Sequence, residues 1–153
     1  MDSTTAIRIF AGIAFLVVLL GGLALAIAYI ITLSNALKKC SPAARTMQPG
    51  MMWLLIVPFL NLVWNFIAVN AISDSLGNEF RLRGIQGIEP EPGKSIGIPM
   101  AICGACGLIP ILGILASLAY LVMWIMYWVK ISSFSKMLDQ APAAISAIGT
   151  PAI

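Results

Sequence analysis

"VPFLNLVWN" (57–65) sets one proline and two asparagines into an otherwise apolar run. These residues read as the packed inner side of a membrane helix. Pro58 has no N–H, so inside a helix it would leave the Leu54 carbonyl without its partner. In lipid that carbonyl must be satisfied by a neighbouring helix, a water or a local adjustment. Asn61 and Asn65 are four apart and share one stripe of a helix. An amide facing hydrocarbon is costly, so both are expected to face protein. Two uses fit that placement. One is glue between helices, worth about 0.6–2 kcal/mol per contact; the other is a polar patch along a substrate or ion path. Glue is the simpler of the two. Asn70 lies well around the helix and does not extend the stripe.

Composition favours lipid as the solvent. The chain has 153 residues, 60% of them hydrophobic and 10% charged, whereas soluble domains carry about 25% charged residues. The net charge of +3 is modest and dispersed, without the basic run or aromatic interleaving of a nucleic-acid partner. There is no histidine, which removes histidine-ligated haem, His-based zinc sites, the usual triads and His proton relays. Cys40, Cys103 and Cys106 are an odd number of thiols in an apolar chain and do not form a secreted disulfide framework. No metal and no cofactor is expected.

From residue 9 to residue 33 there is no charge. As a helix this stretch is about 38 Å long, enough for a core of about 30 Å. It is too long for the apolar region of a cleaved signal peptide. Lys38 and Lys39 mark its end, and "CSPAARTMQPG" (40–50) is a loop of turn dipeptides. A second span starts near residue 51 and continues as a wet extension, "SDSLGNEFRLRG" (73–84). There Glu79 and Arg83 stand at i,i+4, and Glu79, Arg81 and Arg83 read as a solvated or headgroup-facing helix end. "IEPEPGK" (88–94) is too rich in proline for regular structure. Residues 95–129 are again uncharged, and as one helix would reach about 52 Å, too long for one crossing. Two helices turning near "GLIPILG" (107–113) resolve this, because Pro110 and Gly113 weaken helix there. A re-entrant dip followed by one full crossing is the alternative. Trp53, Trp124, Tyr127 and Trp128 suit the headgroup level, and Lys130 can extend outward beside them.

The spacing therefore predicts an all-α integral membrane protein. Its four transmembrane helices, at about 6–37, 51–80, 96–109 and 113–136, form an antiparallel bundle, followed by a small apolar tail over 141–153. In that order Arg8, Arg81, Arg83, Lys94, Lys130 and Lys136 share one side, against Lys38, Lys39 and Arg45 on the other. The count favours both termini in the cytoplasm.

"CGAC" (103–106) invites a redox reading, but its flanks carry no charge to lower a thiol pKa. Cys103, Gly104, Cys106 and Gly107 are better read as small residues that let helices approach closely. Every Asp, Glu, Lys and Arg lies at or beyond the end of an apolar span, whereas pumps and ion-coupled carriers place one inside.

The stretch from Cys40 to Arg83, with its Ser-Pro loop, Trp53, the Pro-x-x-Asn of Pro58 and Asn61, and a polar helix end, resembles small bacterial membrane proteins classed only as a domain of unknown function. "YWVKISSF" (127–134) resembles them too. The resemblance implies a four-helix membrane protein, in the bacterial inner membrane, and no reaction. The function expected is non-enzymatic: an accessory or structural subunit packed against itself or other membrane chains, with the bilayer as its other partner. The alternative is a homo-oligomeric channel or passive carrier with Asn61 and Asn65 lining the path.

Overall fold

The computed structural model describes residues 2–107, 109 and 113–141. Among these residues every element is helical: α1 (Ser3–Lys39), a 3-10 segment (Pro49–Ile56), α2 (Pro58–Leu82), α3 (Lys94–Cys106) and α4 (Gly113–Gln140). Two of them, α1 and α4, are long and apolar enough to cross a membrane. The tail from 142 onward, and residues 108 and 110–112 of the turn near 107–113, lie outside the described residues.

The helices do not alternate up and down. α1 and α4 run parallel, side by side. Tyr29 packs on Trp124 with ring centroids 5.1 Å apart. Thr32 Oγ1 accepts a bond from Trp128 Nε1 at 3.0 Å, and Lys39 Nζ lies 2.6 Å from Asp139 Oδ2. α2 finishes at the same place, where Arg83 donates to the carbonyls of Lys39, Leu138 and Ala141. α3 starts there, with Gly93 against Tyr127 and Ile131. Three helix C-termini and one N-terminus thus share one end. The loops 40–48 and 83–93 lie together at that end, not on opposite sides as an antiparallel four-span order requires.

The reason is the connection between α1 and α2. The expected second span from residue 51 is not one continuous helix. Residues 49–56 run back along α1 as a 3-10 segment, tied at its start by Ser34 Oγ donating to the Pro49 carbonyl. The chain turns at Val57, and Pro58 opens α2 at the first helical position, where a missing N–H costs nothing. The orphaned Leu54 carbonyl takes the N–H of Val57 at 3.2 Å. Trp64 Nε1 donates to the Met51 carbonyl at 3.0 Å and holds the two arms together. α2 then returns to the end from which the chain came.

α3 and α4 form a second hairpin with the same sense. An added Cβ on Gly104 would lie 3.1 Å from the Tyr120 ring, and one on Gly113 would lie 2.9 Å from the Gly107 carbonyl oxygen. The 13 residues of α3 rise about 20 Å, short of a hydrocarbon core of about 30 Å.

The core gathers at the charged end. Leu33 and Leu37 meet Ile72, Leu76 and Phe80 there, with Ile131 and Leu138 closing over them. The segment expected to be a wet extension is therefore buried on one face, with Ser73, Ser75, Glu79 and Phe80 inside, while Asp74 and Arg81 are exposed. The two loops cover it. By contrast Ile7, Phe10, Ile13, Val17, Leu20 and Leu25 of α1 are exposed.

Candidate functional site

Away from the charged end, the helices separate around Asn61 and Asn65. One cavity of about 230 Å³ lies between α2, α3 and α4, lined by Asn61, Asn65, Cys103, Gly104, Gly107, Ser117 and Tyr120 among others. A second, of about 290 Å³, opens against α1, where Gly22, Leu25, Ala26, Ile30 and Trp124 form mostly apolar walls. Asn61, Asn65 and Tyr120 border both cavities. The two amides thus share one face of α2, between a chamber of mixed polar and apolar lining and a more apolar one.

Local structure explains the placement. Starting α2 at Pro58 sets Asn61 one turn in and Asn65 one turn further, on the face turned toward α3 and α4. Gly104 of α3 lets Tyr120 lie close over the helix, bringing its ring to the boundary. Asn65 is 7% exposed and Asn61 half-buried. Among the described residues neither side-chain amide has a hydrogen-bond partner, in contrast to Asn70 and Asn78, which donate to the carbonyls of Phe66 and Ala44. Tyr29 lines the apolar cavity, and its buried hydroxyl also lacks a partner among the described residues.

The structure brings together Asn61, Asn65, Cys103, Gly104 and Gly107. Pro58 serves as the start of α2. Cys106 is half-buried on the last turn of α3 and does not line the cavity; both thiols of the "CGAC" run are free. Of the expected interface anchors, Trp53 is exposed, while Trp124 and Trp128 pack on Tyr29. Tyr127 is 0% exposed and belongs to the core, because Gly93 and Gly97 admit its ring. Lys130 is paired with Glu89 at 2.6 Å. Sequence reasoning missed Tyr29 and Tyr120. Tyr120 stands three residues after Ser117, and Gly113 and Ser117, four apart, are small residues whose spacing permits close helix packing; that spacing was the available signal.

A second polar group was misread as solvated. Glu79 and Arg83 pair at 2.7 Å with side chains only 4% and 8% exposed. Glu79 Oε2 also accepts from the N–H and hydroxyl of Ser41, each at 2.7 Å. Burial works to raise the Glu79 carboxyl, but the Ser41 bonds and Arg83 outweigh it and hold the group below the usual carboxylate range. Arg45 completes the knot by donating to the carbonyls of Lys38 and Cys40, which caps the end of α1. Every bond of this cluster is internal, so it reads as a clasp that fixes the loop 40–48 to α2.

Fold and cavities together define a helical bundle with its ion pairs at one end and an uncharged chamber away from that end. Compared with family models, characterised proteins and solved structures, the chain matches none.

Proposed function

We propose that this chain is a non-enzymatic, multi-pass membrane protein that serves as a structural or accessory subunit, held against a second copy or a larger membrane assembly. One observation carries the reading. The turn between the 3-10 segment and α2 is uncovered: Val57 is 41% and Phe59 89% exposed. With the charged end at the membrane surface, this turn lies roughly 25 Å away along α2, counted from Ser73. Non-helical backbone at such depth is tolerated only where protein or a water-filled cavity covers it. A partner surface supplies that cover.

In this reading α1 spans the bilayer and the two hairpins enter from one face. Eight of the nine Lys and Arg residues belong to the charged end: Lys38, Lys39, Arg45, Arg81, Arg83, Lys94, Lys130 and Lys136. Arg8 alone lies at the far end of α1. That bias favours the cytoplasm for the charged end. The start of α1 is then across the membrane from the end of α4, which replaces the expectation of both termini on one side. The resemblance noted above supports a bacterial inner membrane.

Purification in mild detergent tests the proposal. A stoichiometric membrane partner or a defined oligomer is expected, and Phe59→Ala should weaken it. A lone monomer, unchanged by the substitution, contradicts it. A second reading, a passive carrier or channel, is favoured by the two cavities meeting at Asn61 and Asn65. Liposome flux that falls with Asn61→Leu would support it, and absent flux would remove it.

A further inference from the structure

Amides are strong hydrogen-bonding groups, and one that faces a cavity gains about 1 kcal/mol from a partner placed there. Asn61 and Asn65 stand at the border of two cavities without partners among the described residues. Their surroundings restrict what can satisfy them. No charged side chain lines either cavity, and the nearest buried acid on the same helix, Glu79, is fourteen residues from Asn65, about 21 Å of helix. A phosphate or ammonium brought there would lose its water and meet no counter-charge. These walls suit only an uncharged occupant.

The two chambers differ in the way the two ends of an amphiphile differ. Around the first stand the amides, the Ser117 hydroxyl and Tyr120. Around the second stand Leu25, Ala26, Ile30, Leu55 and Leu121, with Tyr29 and Trp124. Gly22, where an added Cβ would meet nothing within 4 Å, leaves the second chamber open along α1. The side-chain NH₂ groups and hydroxyls supply donors that carbonyl oxygens of a head can take, while the amide oxygens remain free to accept from a head hydroxyl.

We infer that the paired cavities bind an uncharged lipid whose head carries carbonyl oxygens, with its head between α2, α3 and α4 and its tail along α1. This rests on the membrane reading proposed above. Two lipid types share the chemistry, a prenylated quinone and a diacylglycerol.

Native mass spectrometry of the full chain, released from detergent, tests the inference with three probes used separately: a decyl-substituted benzoquinone, dioleoylglycerol and dioleoylphosphatidylglycerol. A saturable one-to-one adduct with either uncharged probe is expected, and the one that binds identifies the head. Asn65→Leu should weaken that adduct about tenfold, the effect of losing one such bond. Gly22→Leu, which fills the tail chamber without touching the amides, should weaken it as well and serves if the first variant does not fold. No saturable adduct with either uncharged probe overturns the inference, as does equal binding of the phosphatidylglycerol or indifference of both variants. Recovery of the chain without detergent in the soluble fraction would instead remove the membrane reading itself.

Discussion

At the scale of single residues, glycines show where the fold has no slack. An added Cβ on Gly97 would sit 2.5 Å from Val69 Cγ1 and 2.8 Å from the Tyr127 ring. Gly97→Ala should cost about 1–3 kcal/mol, the usual range for overpacking. Gly21→Ala, in open space, should be neutral or slightly stabilising, since alanine favours helix by up to about 1 kcal/mol. Melting of helical circular dichroism in detergent separates the two. Glu79 gives a pH test. Its carboxyl is held low in the folded chain, so its contribution is complete above the ordinary carboxylate value of about 4.3. It is lost as pH falls through the lowered folded value. Stability should drop on acidification below about pH 4. Glu79→Gln should be weaker at neutral pH and flatter in acid; Glu79→Ala should cost about 3 kcal/mol or more, because it strands Arg83. The Cys40 thiol is pushed up to about 12, first by burial and then by Glu79. It should resist maleimide at pH 8 until the protein is unfolded, as counted by mass. The stripe of Asn61 and Asn65 was legible because four-residue spacing fixes a shared helix face. The burial of Glu79 was not, because an i,i+4 ion pair looks the same in a sequence whether water or a loop covers it.

At the scale of elements, the helices were legible and their directions were not. The expected 6–37 lies within α1, and the expected 113–136 within α4. The second span failed at its start. "PGMMWLLI" (49–56) is as apolar as any helix, and only Val57 separates it from α2, which Pro58 opens. Hydropathy registers one run where the backbone makes two arms and a turn. Once those arms fold back, every later element reverses its side. Parallel packing of α1 on α4 has a direct test. Lys39→Cys with Asp139→Cys, in a chain with its native thiols replaced by serine, should be bridged by a short bismaleimide, because the parent side chains pair at 2.6 Å. An antiparallel order keeps those ends a membrane apart and forbids the bridge. The product is read as a shift in gel mobility.

For the whole molecule, charge gathers at one end and apolar surface at the other. The loops 40–48 and 83–93, with the closing ends of α1, α2 and α4 and the start of α3, build a core over which Arg83 ties three segments together. The bare length of α1 and the turn at Val57 are uncovered, and in the proposed function they meet lipid and a partner. Sidedness of labelling probes this arrangement most directly. Single cysteines in place of Ser3, Arg45, Gln86 and Lys136, in a thiol-free background, are treated with an impermeant maleimide in intact and in inverted vesicles. Positions 45, 86 and 136 should label from one and the same face, and position 3 from the other. Labelling of position 45 from the face opposite to 86 would restore four alternating crossings and contradict the one-ended fold.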